Sequence, residues 1–139
     1  MKKLFFISLV MLIIGATACS KDKQYTNALI KKEGKWLISS HSYKQVVNGA
    51  TQTDLSVVNS GYIEFDDEGE GEQHEGGTTK EFTWHITDQK LFVTYNDGLT
   101  QYNVKKNSKN EFAFDRDDSY TLNGSAYQVK ESYVLTRAN

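Results

Sequence analysis

Short runs in which apolar and polar residues alternate constrain this chain more than any other feature. From Trp36 onward, apolar residues recur at every second position, which is the period of a strand with one buried face. The clearest runs are Ile63 and Phe65; Phe82, Trp84 and Ile86; Leu91, Val93 and Tyr95; Tyr102 and Val104; Phe112 and Phe114; and Tyr127, Val129, Tyr133 and Leu135. The pattern predicts about eight half-buried strands.

Turn residues between these runs indicate how the strands are joined. Asn48-Gly49, Asn96-Asp97-Gly98 and Asn123-Gly124 contain residues that accept positive φ, as tight hairpins require. The links are too short for the helical crossovers of a parallel sheet. The sequence therefore predicts an all-β, antiparallel, up-and-down meander that can close into a barrel. At that size the interior is either filled by side chains or holds one small ligand.

A short helix is predicted immediately before the first strand. It covers Ala28 to Lys32, and Gly34 is well placed to end it. Residues 28–139 then form one barrel domain, because a mature chain of this length supplies a single hydrophobic core.

The first 18 residues have the layout of a signal peptide. Lys2 and Lys3 precede an apolar run from Leu4 to Ile14, which is shorter than the ~20 residues that span a bilayer. Small residues then precede Cys19, the only cysteine, and this arrangement resembles a lipobox, although Ala16 stands where a branched apolar residue is usual. The resemblance implies cleavage before Cys19, acylation of its thiol and membrane anchoring. The alternative is a plain secretory signal that leaves Cys19 free.

Residues 19–27 are interpreted as the acylated cysteine and a charged tether. Ser20 replaces the aspartate that favours inner-membrane retention in enteric lipoproteins, so the resemblance implies the outer membrane and leaves the periplasmic or surface face open. The net charge is −2, and loss of Lys2 and Lys3 makes it −2 − 2 = −4. This excludes the basic field that a nucleic-acid partner or anionic lipid headgroups would require.

Several motifs together resemble one family. Gly34-Lys35-Trp36 opens the first strand, Phe65-Asp66-Asp67-Glu68-Gly69 follows, and the chain closes with Tyr133-Val134-Leu135-Thr136-Arg137. In this the chain is similar to the small lipocalin-like lipoproteins of Gram-negative bacteria. In lipocalins an arginine of the last strand packs across the tryptophan of a Gly-x-Trp motif, so the resemblance implies a structural staple of Gly34, Trp36 and Arg137. The alternative is that Arg137 is a frayed terminal residue.

The candidate ligand-binding residues are those expected inside the barrel. The alternation directs one set of side chains inward, and Glu131 shares its parity with Val129 and Tyr133. The candidates are Phe65, Trp84, Phe112, Tyr127 and Glu131. Because an unpaired carboxylate inside a barrel is costly, Glu131 is expected either to have a partner such as Arg137, Tyr127 or water or to lie at the solvated mouth of the barrel.

Metal and enzyme chemistry are not indicated. The stretch 66–75 has six carboxylates in ten residues, but it lacks the order of a calcium loop and is interpreted as a solvated arm. His41, His74 and His85 lie on separate segments, so no zinc site is predicted. No nucleophile elbow or phosphate-binding loop is present. The sequence predicts no catalytic residue, no metal and no cofactor.

Two functions remain open at this stage. The first is a membrane-anchored lipoprotein whose barrel binds a small apolar or amphipathic ligand, which the resemblance favours. The second is an envelope or surface protein with a filled barrel that contacts another protein. Seven Phe, eight Tyr and two Trp would line a cavity or pack a solid core equally well, so the aromatic content does not decide between them.

Overall fold

The computed structural model describes residues 20–138, so the signal peptide and Cys19 lie outside the described residues. Helix α1 covers residues 20–30 and is followed by a 3₁₀ turn over Lys32–Gly34. The eight strands are β1 (Lys35–Val47), β2 (Ala50–Phe65), β3 (Glu70–Glu75), β4 (Thr78–Thr87), β5 (Lys90–Tyr95), β6 (Gly98–Asn107), β7 (Glu111–Leu122) and β8 (Ser125–Arg137). Within residues 20–138, no helix is long and apolar enough to cross a membrane.

The strands form a closed barrel. Each strand pairs antiparallel with the next in sequence, and β8 pairs with β1. Asn48 and Asn123 have φ values of 49° and 50° in the turns that join β1 to β2 and β7 to β8, as tight hairpins between twisted strands require. The predicted all-β up-and-down meander is therefore confirmed, and it is closed.

The strands differ in length, so part of the sheet extends beyond the barrel. β2 pairs with β3 only between Gly61 and Phe65, and β7 pairs with β6 only as far as Asp115. Past these points β2, β1, β8 and β7 continue side by side as an open four-stranded sheet. We call this extension, residues 42–58 and 116–132, the platform. The end of the barrel from which it projects is the open end.

The hydrophobic core fills the barrel, and α1 covers its opposite end, which we call the closed end. Leu29 of α1 is fully buried, and its carbonyl oxygen accepts a hydrogen bond of 3.0 Å from Trp36 Nε1. The largest fully buried side chains are Trp36, Phe65, Phe112, Leu29, Ile38, Leu91 and Leu135. Each contributes roughly 1.5–3 kcal/mol through burial, so the barrel needs no disulfide to hold it together.

Gly34 and Arg137 complete the closed end. A Cβ on Gly34 would lie 1.7 Å from the carbonyl oxygen of Phe65, and the φ of this glycine is +68°, so no other residue fits there without a backbone shift. The Arg137 guanidinium lies 3.6 Å from the centre of the Trp36 ring and donates hydrogen bonds to two carbonyl oxygens of the α1 segment. Arg137 is buried rather than frayed.

The observed helix is longer than the predicted one. The sequence indicated a helix over 28–32 and a tether over 19–27, but residues 20–30 are helical. The Tyr25 ring packs edge-on against Phe112 at 6.2 Å between ring centres, and the first turn of α1 contacts the β4–β5 turn. These tertiary contacts stabilise a helix that its local sequence only partly favours.

Candidate functional site

A charged cluster of His41, Glu75, Arg116 and Glu131 lies at the open end, where the barrel interior meets the platform. His41 stands between the two carboxylates: its Nδ1 is 2.8 Å from Glu75 Oε1 and its Nε2 is 2.9 Å from Glu131 Oε1. The side chains of His41 and Glu131 are only 10% and 8% exposed. Charged groups this far from water must be paired with each other to be tolerated.

Both carboxylates receive further hydrogen bonds. Glu131 Oε2 accepts one of 2.7 Å from Arg116 Nε and one of 3.0 Å from the Tyr102 hydroxyl. Glu75 accepts hydrogen bonds of 2.7 Å from Ser60 and from Gln73. The four carboxylate oxygens are therefore all occupied, and the cluster is a connected network rather than a set of isolated charges.

The cluster shifts the acid–base behaviour of its members. Burial lowers the pKa of His41, but hydrogen bonds and charges from Glu131 and Glu75 outweigh burial and raise that pKa above its usual 6.5. Burial raises the pKa of Glu131, but His41 and Arg116 outweigh it and lower that pKa below its usual 4.5. His41 is therefore an imidazolium at mildly acidic pH, with both ring nitrogens donating to carboxylates.

Three tyrosines separate the charged cluster from the apolar core. The Tyr133 ring stacks on His41 at 3.9 Å between ring centres, and the Tyr95 hydroxyl donates to the side-chain oxygen of Gln73. Burial raises the pKa values of Tyr95, Tyr102 and Tyr133. These hydroxyls therefore stay protonated at the boundary between the polar and apolar parts of the interior. Those of Tyr95 and Tyr102 donate hydrogen bonds, and that of Tyr133 accepts one from Gln73.

His41 and Glu75 were not predicted as site residues. The register of β1 shifts between Ile38 and Ser40, which marks a bulge at Ser39. If the alternation from Trp36 continued without a bulge, Ser40 would point into the barrel and His41 would point outward. Arg116 could have been found, because it has the same parity as Phe112 and Phe114.

The apolar part of the barrel interior is filled. A cavity of only about 10 Å³ remains among the side chains there, which is about the volume needed for a single water molecule. Its lining residues are Ile63, Phe65, Phe82, Val93, Tyr95, Tyr102, Phe114 and Tyr133. The barrel as it stands has no room for an apolar ligand in its core.

The platform instead carries exposed apolar side chains on the face that continues the barrel interior. Leu55 pairs with Tyr43, and Tyr43 pairs with Glu131; residues directly opposite in a sheet share a face. By the same pairing Tyr120 and Leu122 lie on this face in β7. Leu55, Tyr120 and Leu122 are 43%, 45% and 53% exposed. The inner face thus carries these apolar side chains together with Gln45 and Asp118, and it ends at the charged cluster.

The outer face of the platform is polar. Two ion pairs cross it, between Lys44 and Asp54 and between Lys130 and Asp117. Val58 also lies on the outer side and is 71% exposed. The platform is therefore amphipathic, and its apolar inner face is open to solvent.

The predicted ligand-binding residues separate into three groups. Phe65, Trp84 and Phe112 belong to the packed core. Glu131 points inward as predicted, but its partners are His41, Arg116 and Tyr102 rather than Arg137, Tyr127 or water. Tyr127 does not lie within the barrel. It pairs with Tyr120 of β7, and β7 pairs with β6 only as far as Asp115. It stacks on Tyr120 of the platform at 5.1 Å between ring centres.

The acidic stretch 66–75 forms the β2–β3 turn and strand β3. Asp66 Oδ1 accepts hydrogen bonds from the backbone N–H groups of Glu68 and Glu70, so this carboxylate stabilises the turn. Across residues 20–138, no group of three or more His, Cys, Asp or Glu side chains is arranged to hold a metal ion.

Comparison with known proteins does not identify the chain. The sequence matches no protein-family model, and no curated protein is significantly similar to it. The function therefore has to be inferred from the geometry of the open end.

Proposed function

We propose that this protein is a membrane-anchored lipoprotein that binds an amphipathic ligand at its open end. The ligand's apolar part lies on the inner face of the platform, and its polar part contacts the charged cluster. The observation that supports this is the continuity of the two surfaces, because Leu55, Tyr43 and Glu131 lie in one row across three strands. Binding sites commonly combine an apolar surface with a few oriented polar groups.

The anchor is proposed from the sequence before the barrel. A basic segment, an apolar run and small residues precede Cys19, whose acylation would place the protein on the outer membrane. The intact mass of the chain purified from its own envelope should equal that of a chain starting at Cys19 plus acyl groups. A C19A variant should lose the acyl mass and the membrane association. An unmodified thiol at Cys19 would contradict the anchor.

We propose the platform rather than the barrel core as the ligand site because the core lacks the volume for a ligand. The core cavity of about 10 Å³ is far below the ~300–1,000 Å³ of ordinary ligand sites. The platform face needs no such opening, because its apolar side chains are already exposed. Contact with an apolar ligand would remove that surface from water, which is favourable at about 25 cal/mol per Å².

Native mass spectrometry of the protein from its own envelope tests the ligand hypothesis. We expect a bound species of small-molecule mass that disappears after solvent extraction. The test pair is Leu55→Asn, on the inner face of β2, and Val58→Asn, on the outer face of the same strand. Leu55→Asn should lower the ratio of bound to free protein roughly tenfold, equivalent to ~1.4 kcal/mol, and Val58→Asn should leave this ratio unchanged. Equal effects of both variants would contradict a site on the inner face.

A second function, contact with another envelope protein, is favoured by the filled core. Among the described strands, β2 over 50–58 and β7 over 116–122 each have one edge with no hydrogen-bonded neighbouring strand. Such edges can pair with a strand of another protein. In the same mass spectra this function predicts a bare chain or a chain with a protein attached. It also predicts that the outer-edge backbone amides become protected from hydrogen exchange only in the complex.

A further inference from the structure

Helix α1 is fixed to the barrel at its first turn. The Asp22 carboxylate accepts hydrogen bonds of 3.0 Å and 2.7 Å from the backbone N–H groups of Asp88 and Gln89 in the β4–β5 turn. Both of these turn residues have positive φ, and their amides point toward the helix. A carboxylate that accepts two backbone amides restrains position and orientation together.

The helix is also fixed at its last turn. Arg137 donates hydrogen bonds of 3.0 Å to the Ala28 carbonyl oxygen and 2.9 Å to the Lys31 carbonyl oxygen. Leu29 between them is fully buried, and its own carbonyl accepts the hydrogen bond of Trp36 Nε1. With contacts at both ends and a buried side chain between them, α1 cannot swing away from the closed end without breaking the core.

The proposed anchor has almost no slack. Only Ser20 and Lys21 separate Cys19 from Asp22, so the acylated residue lies within roughly 10 Å of Asp22 even if this segment were fully extended. β8 alone has 13 residues and is about 40 Å long. The attachment point is therefore confined to the closed end, far from the tips of the platform.

We propose that the anchored protein stands with its closed end against the phospholipid headgroups and with the platform directed into the aqueous phase. Helix α1 is then a rigid mount rather than a flexible tether. This inference rests on the proposed acylation of Cys19. Its consequence is that the open end meets ligands or partners from the aqueous side and not from within the bilayer. The outer wall of the platform carries ion pairs, which gain nothing from lying on lipid.

Energy transfer to the membrane surface tests this orientation. The acylated full chain is reconstituted in vesicles of phosphatidylethanolamine and phosphatidylglycerol with acceptor-labelled headgroups. A donor is attached to Lys109→Cys in the β6–β7 turn of the closed end or to Ala50→Cys at the platform tip. Because Cys19 is the only native cysteine and its thiol is acylated, the introduced thiol is the single labelling site. We expect transfer from residue 109 to exceed that from residue 50 several-fold.

A matched variant separates the mount from the anchor. Insertion of eight Gly and Ser residues between Ser20 and Lys21 lengthens the connection without changing the barrel, and it should reduce the difference between the two labels. Equal transfer from both labels, stronger transfer from residue 50, or an unchanged difference after insertion would overturn the rigid mount while leaving acylation intact. Absence of acyl mass on Cys19 would overturn both the anchor and this orientation.

Discussion

At the closed end of the barrel, the buried side chains are apolar except for Arg137, whose two terminal guanidinium nitrogens donate to backbone carbonyl groups while its Nε has no hydrogen-bond partner. At the open end, by contrast, the buried groups are paired charges, and the exposed surface next to them is apolar. Apart from Arg137, the closed end buries apolar groups, which stabilises the fold. The open end buries several charges and exposes hydrophobic side chains, which is unfavourable for stability. Under the proposed function, the closed end maintains the fold and the open end binds the ligand.

The largest expected effect comes from removing the central aromatic ring of the closed end. Trp36→Ala should lower the free energy of unfolding by about 3–5 kcal/mol, because it leaves a cavity under α1 and removes the surface on which Arg137 stacks. Urea denaturation measures this free energy. The comparison variant is Tyr120→Ala on the platform, which should lower the free energy of unfolding by less than about 1 kcal/mol. A loss below about 1 kcal/mol for Trp36→Ala would contradict the role of the closed end.

A second variant tests whether the open end is stabilised by its charge pairs. Glu131→Ala leaves His41 and Arg116 facing each other without their shared carboxylate, and we expect a loss of about 3 kcal/mol of unfolding free energy. The control is Glu81→Ala, at an exposed position of β4, which should change stability by less than about 0.5 kcal/mol. Similar values for the two variants would mean that the cluster does not stabilise the native state.

The pH dependence of stability is a smaller effect that comes from the same cluster. Because the folded pKa of His41 lies above 6.5, its contribution is complete below about pH 6.5 and is lost as pH rises through the folded pKa. Because the folded pKa of Glu131 lies below 4.5, its contribution is complete above about pH 4.5 and is lost as pH falls through that pKa. The cluster should therefore stabilise the fold most between about pH 4.5 and 6.5.

Unfolding free energies measured across this range check the assignment. His41→Gln should remove the decline on the alkaline side, while His85→Gln, at an exposed position of β4, should retain it. If both variants keep the same decline, His41 is not its source.

The smallest predicted effect concerns the first turn of α1. Asp22→Ala should lower the unfolding free energy by about 1 kcal/mol, since two partly solvated hydrogen bonds to a carboxylate are lost. Hydrogen exchange should quicken at the amides of Asp88 and Gln89 and stay unchanged at the β5–β6 turn. Unchanged exchange at these two amides would show that α1 is not held there.

Much of the closed end could be predicted from the sequence. Trp36, Phe112 and Leu135 lie in alternating runs, and strand alternation is a local property that directly reflects which face is buried. Outside the closed end, the turns at Asn48 and Asn123 at the platform tip were also predicted, because positive φ restricts the residue types that can occupy them. Where local pattern and tertiary structure agree, the sequence alone was sufficient to predict which side chains are buried and where the strands turn.

The open end could not be predicted in the same way. A bulge at Ser39 reverses the parity of β1, and nothing in the residue types around it marks the extra residue. The platform exists because β7 and β8 continue past the end of their pairing with β6. Tyr127, which was expected inside the barrel, therefore lies beyond the barrel. The length over which two strands pair depends on partners distant in sequence. The extent of α1 does so too, because residues 20–27 are stabilised as a helix by their contacts with the barrel.

The pairing of β1 with β8 has a consequence for how the chain reaches its native state. Trp36 and Arg137 are partners in this ladder, so the barrel closes only when the first and last strands meet. Contacts of such long sequence separation slow folding, and until they form, both β1 and β8 present open edges to other chains. We expect folding to be slow for a domain of this size and to finish with the last strand, as the export implied by the proposed lipoprotein anchor would favour.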